Sequence, residues 1–387
     1  MQFTDEHEQF RHSVRELVER EINPHVDAWE ESGMFPAHEL FPKLAAVGIL
    51  GLEYDEEFGG AGADHSFTLV YGEEVGRCTA GGVAMAISVQ TDMATPALAT
   101  FGTTELKERF LRPAIAGHHV AAIAVTEPDA GSDVAAIRTR AIRDGDEWVI
   151  NGTKLYITNG TQADWLCLLA RTSDEGGSRG MSQIVVSTDT PGFSVSRKLD
   201  KLGQRSSDTA ELSFVDMRVP VDNTIGTIGQ GFQQQMAQFQ NERLIANYMS
   251  CANMRHALDR TISYVKERKA FGKTLADQQW IQYKLAELIA EVDLLHEYNR
   301  ACAETVVHAG DALTIAKMAS IGKLKAGRLN REVADLAMQF HGGIGYMEET
   351  WTARYYRDSR LLSIGGGADE VMLRIIAQLE GISGSKA

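Results

Sequence analysis

The chain has 387 residues, 44 % of them hydrophobic and 24 % charged, with a formal net charge of −15. That length suits two or three domains rather than one simple core, and the composition is that of a soluble globular protein. The negative balance argues against nucleic acid or an anionic membrane as the main partner, and no apolar run reaches membrane-spanning length. Cys78, Cys167, Cys251 and Cys302 are far apart with no C-x-x-C pair, as expected of buried free thiols in a reducing compartment. Residues 3–8, FTDEHE, are acidic and helix-like rather than a signal or transit peptide, so the expected setting is cytoplasmic.

Residues 4–117 are mostly helical in pattern. Phe10, Val14, Leu17, Val18 and Ile22 recur at helical spacing, and Pro24 is expected to stop the run. Phe41, Leu44, Ala45 and Leu50 make a second apolar face. Residues 58–62 form a glycine-rich loop, and residues 68–77, 81–88 and 104–111 continue as helices. From Val120 the period changes to that of an antiparallel β domain, with runs at 120–125, 148–150, 154–157, 165–170, 183–187 and 211–219. Asn151-Gly152 has the composition of a hairpin turn between two of them. After Gly226 the helical period returns at 232–268, 285–307, 313–340 and 371–379, the long antiparallel helices of a bundle. The expected architecture is α+β: an N-terminal helical domain (1–119), a middle antiparallel, barrel-like β domain (120–225) and a C-terminal four-helix-bundle-like domain (226–387).

There is no G-x-G-x-x-G after a strand, no complete P-loop, no G-x-S-x-G and no metal-ligand spacing. A strand-like run instead ends in the polar loop TEPDAGSD (126–133), which presents hydroxyls and backbone N–H groups at a strand end. Such a loop suits a planar, hydrogen-bonding ligand, and its composition equally suits an ordinary turn.

TEPDAGSD, INGTKLYITNG, GQRSSDT, ERKAFGK, QFHGGIGY and YRDSR, in that order along the whole chain, resemble the landmarks of the acyl-CoA dehydrogenase family of flavoproteins. The resemblance implies FAD, an acyl-CoA substrate, an electron-transfer flavoprotein as acceptor and a homo-oligomer, most often a tetramer. It also implies α,β-dehydrogenation: a carboxylate base removes an α-proton while the β-hydrogen leaves as hydride. By motif, Val125, Thr126, Gly131 and Ser132 match the loop at the flavin edge, Ser132 also reaching substrate. Tyr156 and Thr158 match an aromatic and hydroxyl pair against the ring, with Tyr where Trp is usual. Arg268, Phe271 and Gln279 match residues that reach a neighbouring subunit's FAD. Gln339, Gly342 and Gly343 match a further FAD-binding turn, and Ala368 and Glu370 stand in a region used at the flavin, Ala368 where Thr is usual.

In much of the family the base is a Glu that would fall at Gly366, and glycine has no proton acceptor. A minority, including isovaleryl-CoA and long-chain dehydrogenases, carries the base on a C-terminal-domain helix in an x-E-R motif, which Gln240-Asn241-Glu242-Arg243 matches. The resemblance therefore implies Glu242 as base, Gly366 as a backbone donor to the thioester carbonyl, and Arg243 as a residue orienting the CoA side or the base. Glu242 also has the composition of a solvated helix carboxylate ion-paired with a neighbour. Residues 89–96 and GGGADEVM are similar to citronellyl-CoA dehydrogenases, and small residues such as Ala94, Ala97 and Ala99 suggest a roomy acyl pocket. An acyl-CoA oxidase, a flavin monooxygenase and a catalytically silent acyl-CoA-binding protein are the rival readings.

Overall fold

The computed structural model describes residues 1–382. The N-terminal part holds α1 (Asp5–Leu17), α2 (Val26–Ser32), α3 (Ala37–Ala46), α4 (His65–Val75), α5 (Gly81–Ser88), α6 (Pro96–Phe101), α7 (Thr104–Leu106) and α8 (Arg112–Ile115). The first helical run, α1 with a π turn (Val18–Ile22), ends just before Pro24, which lies in a 3₁₀ turn (Asn23–His25) that leads into α2, because proline is tolerated where a first-turn N–H has no partner anyway.

The middle part holds β1 (Ala121–Ala124), β2 (Arg140–Asp144), β3 (Glu147–Thr158), β4 (Trp165–Arg171), β5 (Met181–Ser187), β6 (Phe193–Lys198) and β7 (Thr209–Pro220) in one sheet, ordered β1-β4-β2-β3-β7-β6 with β5 on β4. The sheet is mixed rather than purely antiparallel: β1 runs parallel to β4, with Ala121 opposite Trp165. The Asn151-Gly152 hairpin is not formed. β3 runs through that point, and the tight turn lies at Gly145-Asp146, between Asp144 and its partner Glu147. Gly152 is needed for close approach instead: a Cβ there would lie 2.5 Å from Thr139 Oγ1 and 2.8 Å from its Cα. The Asn151 side chain, meanwhile, pins a bulge by accepting from the Asp216 N–H at 2.9 Å.

The C-terminal part holds α9 (Gly231–Glu267), a small hairpin of β8 (Lys269–Ala270) and β9 (Lys273–Thr274), α10 (Gln279–Val307), α11 (Ala312–His341), α12 (Trp351–Ser359) and α13 (Asp369–Leu379). α12 falls where no helix was expected. Three cores coincide with the three parts. One joins the N-terminal helices to Leu244, Tyr248 and Met249 of α9, one fills the inside of the sheet, and one packs α9, α10 and α11 together. A fourth, with Phe110 against Trp165, glues helices to sheet and takes up Ala94 and Ala97, which therefore fill a seam rather than a pocket. All four cysteines are buried and free. No helix among the described residues is long and apolar enough to cross a membrane.

Candidate active site

The loop after β1 is held from beneath by a buried ion pair. Lys154, wholly buried on β3, donates to the Val125 carbonyl at 2.8 Å and to Glu127 Oε1 at 2.9 Å. Glu127 also accepts the backbone N–H groups of Arg138 (2.6 Å) and Thr139 (2.9 Å). Burial raises the Glu127 carboxyl, but Lys154 and these donors outweigh it and hold it below the usual range. Burial pulls Lys154 down to about 8, which leaves it protonated at neutral pH. The Leu155 N–H donates to the Thr126 carbonyl at 2.8 Å, which sets the loop of Val125 and Thr126 beside the end of β3 that carries Tyr156 and Thr158.

Two separate surfaces, one at this loop and one at the β8–β9 turn with the end of α11, are shaped to meet something outside the chain. Tyr156 sits at an irregularity near the end of β3, at φ 62°, and is 65 % exposed. Phe271, at the tip of the β8–β9 turn, has φ 53° and is fully exposed. Left-handed backbone at bulky residues is unfavourable and clusters where a ligand or partner engages. A Cβ on Gly131, Gly342 or Gly343 would meet nothing within 4 Å, so nothing in the chain itself fills the space at these glycines. These exposed aromatic faces and open glycine turns fit a large planar cofactor with phosphates.

Glu242 lies on α9 and is 7 % exposed. Its Oε1 accepts from Gln238 Nε2 at 3.1 Å, one helical turn earlier, and Gln238 also donates to the Met93 carbonyl of the π turn Val89–Ala94. No cation among the described residues forms an ion pair with it, so the solvated, paired helix carboxylate is not what the fold builds. Burial pushes Glu242 up to about 7; the Gln238 bond and Arg243 pull it back, and the Asp92 carboxyl nearby adds to the rise. Arg243 is also buried, bonds Gln240 at 3.2 Å and leaves its Nε without a partner.

The Gly365–Gly366–Gly367 turn comes to the same place, since a Cβ on Gly367 would lie 3.9 Å from Arg243 Nε. Gly366 has φ 64°, and its own Cβ would meet only Lys323 Cε at 4.0 Å. The buried Lys323 ammonium ties the turn down by donating to the carbonyls of Leu362, Gly365 (2.8 Å) and Gly367 (2.7 Å). The Gly366 N–H has no backbone acceptor among the described residues and stays available. Ala368 caps α13, while Glu370 is exposed in its first turn. Beyond Glu242 an elongated cavity opens between α5, α9 and α12, lined at its near end by Met85, Met93, Ala246 and Leu362. Its small residues, Gly81, Ala84 and Ala246, are not the alanines expected from sequence.

Arg268, Phe271 and Gln279 are not brought to Glu242. They are exposed at the other end of α9, about 39 Å along a helix rising about 1.5 Å per residue. Gln339, Gly342 and Gly343 join them there, where Tyr264 stacks on His341 at 4.0 Å. Lys154, Glu127, Gln238, Asp92 and Lys323 were not singled out from sequence. The one available signal was a lysine at an inward-facing strand position and another on the apolar face of α11.

With this geometry in hand, the chain can be placed among known proteins. The N-terminal, middle and C-terminal domains of acyl-CoA dehydrogenase match residues 4–118, 122–217 and 229–379. The mouse mitochondrial long-chain specific acyl-CoA dehydrogenase is 38 % identical over 97 % of this chain and 86 % of its own length. The crystal structure of acyl-CoA dehydrogenase from Geobacillus kaustophilus superposes with a TM-score of 0.93 at 38 % identity, covering 97 % of this chain and 98 % of that one. A glutaryl-CoA dehydrogenase from Mycobacterium smegmatis in complex with FADH2 gives 0.91 at 28 % identity, covering 100 % and 96 %. Fold and site thus define a flavoprotein-type oxidoreductase acting on acyl-CoA. The chain belongs to the acyl-CoA dehydrogenase family.

Proposed function

We propose that this protein is an FAD-dependent acyl-CoA dehydrogenase that converts an acyl-CoA to its trans-2-enoyl-CoA, with Glu242 as the base. The observation that carries this reading is a buried, unpaired carboxylate one helical turn from a cavity-lining residue, Ala246, beside a glycine turn with a free N–H. Desolvation makes Glu242 a stronger base than an exposed glutamate, near the pKa a general base needs at neutral pH. Gln238 holds the carboxylate in place, so that it can receive the α-proton. The Gly366 N–H donates to the thioester oxygen as enolate charge develops. Bound FAD supplies the two-electron acceptor. Val125, Thr126, Gly131, Ser132, Tyr156 and Thr158 would hold its ring, Ser132 reaching substrate as well, and Arg243 the CoA side of the site.

The 39 Å between Glu242 and the Arg268 group supports a homo-oligomer. Arg268, Phe271, Gln279, Gln339, Gly342 and Gly343 would serve the FAD of a neighbouring copy, in a dimer of dimers. Electrons would leave to an electron-transfer flavoprotein.

Anaerobic addition of an acyl-CoA panel to the holoenzyme tests the reading: the flavin should bleach and enoyl-CoA should form in equal amount. A flavin untouched by every thioester would leave only a silent acyl-CoA-binding protein. Fast reoxidation by oxygen with peroxide release would make the protein an oxidase.

A further inference from the structure

The cavity beyond Glu242 changes character along its length. Ala246, Met249, Ser250, Asn253, His256 and Arg260 lie along one stripe of α9 and all line it. Ala246 and Arg260 are about 21 Å apart along the axis at about 1.5 Å per residue, so the cavity takes an extended chain far longer than a short acyl group. Its near end is apolar. Its far end gathers Asn253, His256 and Arg260 with Thr79, Gln204 and the Asp358 carboxylate.

Arg260 is half-buried with its guanidinium 4.3 Å from the centre of the Trp351 ring, which also lines the cavity. No carboxylate among the described residues pairs with it, in contrast to its neighbours. Arg354 is tied to Asp27 and Glu30, and Arg77 lies 3.8 Å from Glu74. Burial, then Arg260 and Arg77, drives His256 down to about 4, so it stays neutral, while the Asp358 carboxylate, which also lines the cavity, is taken up by the N–H groups of Gly81 (2.9 Å) and Gln204 rather than by Arg260. A methyl-ended chain threaded to this depth would strip water from Arg260 and return nothing.

Resting on the dehydrogenase reading for the near end, we infer that the far end is an anion subsite: Arg260, helped by Asn253, receives the terminal carboxylate of a long ω-carboxyacyl-CoA. The carboxylate would accept from the guanidinium, and the methylenes would lie against Met85, Met93 and Met249.

The test compares hexadecanoyl-CoA, 16-hydroxyhexadecanoyl-CoA and the mono-CoA thioester of hexadecanedioic acid, by calorimetric binding to the holoenzyme and by kcat/KM for flavin reduction. The ω-carboxy thioester should be preferred over the methyl-ended one by about ten- to a hundredfold, the worth of a charge-assisted contact. Arg260→Met should collapse that ratio towards unity and Arg260→Lys should keep part of it, both with full FAD content. Equal or better use of the methyl- or hydroxy-ended thioester, or a ratio unmoved by Arg260→Met, overturns the subsite alone. If no thioester reduces the flavin, the dehydrogenase reading falls, and the calorimetric preference still decides the subsite. Should Arg260→Met lose FAD, Asn253→Leu must lower the same ratio.

Discussion

Two glutamates are buried to nearly the same depth, Glu127 at 6 % exposure and Glu242 at 7 %, and their environments drive them in opposite directions. Glu127 has an ammonium and two backbone N–H groups around it and is held ionised. Glu242 has one neutral amide and is pushed towards its proton. Depth is therefore not what separates a structural carboxylate from a chemical one; the supply of donors is. Glu127 shapes a loop that other groups use, while Glu242 is left basic enough to take a proton.

The strongest way to break this contrast is Glu242→Gln, which keeps shape and the Gln238 contact but removes the proton acceptor. Anaerobic stopped-flow should show flavin reduction slowed by about a hundred- to ten-thousandfold, with FAD and acyl-CoA still bound. Near-normal reduction would place the base elsewhere. Lys154→Met strands the Glu127 charge and should cost about 3–5 kcal/mol, seen as early thermal unfolding with loss of FAD. Lys154→Met with Glu127→Gln should recover part of it, and no recovery would mean the pair is not the unit described.

Much of this contrast lay outside what the amino-acid order discloses. The succession of helices, strands and helices was legible because period 3.6 and period 2 are written in residues such as Val14 and Leu17, or Leu166 and Leu168. Glu242 and Gly366 were singled out only through the family resemblance, as a proposed complementary pair. β6 was not, since five of its six residues are exposed and it has no inward alternation to display. The partners of Lys154 were not either, because Val125 and Glu127 lie 27 or more positions away and only the sheet brings them under the lysine. Asn151-Gly152 misled because a glycine required by the approach of Thr139 carries the same letters as a turn.

pH sharpens the comparison by a smaller step. Reduction should rise as pH climbs through about 7, where Glu242 loses its proton. Stability runs the other way. The folded pKa of Glu242 lies above the unfolded value of about 4.3, so its contribution is full below that value and is lost as pH rises through about 7. Wild type should therefore lose thermal stability relative to Glu242→Gln between about pH 5 and 8, and parallel melting curves across that window would contradict a raised pKa. The smallest effect expected is Gly366→Ala. Its φ of 64° should cost about 1–2 kcal/mol, with modest slowing of reduction, since the N–H donor remains.

On the proposed reading α9, one unbroken rod of 37 residues, carries a base towards one end and a neighbour's cofactor clamp just past the other. In an oligomer built that way, a lesion is inherited by the wrong subunit. A chain with Arg268→Ala keeps its own base but starves the site next door, whereas a chain with Glu242→Gln silences itself and still clamps its neighbour's flavin. Co-expressing the two inactive chains would then yield hybrids in which some sites draw a sound base from one parent and a sound clamp from the other. Activity would reappear from a mixture of two dead proteins, in a proportion fixed by how the copies sort.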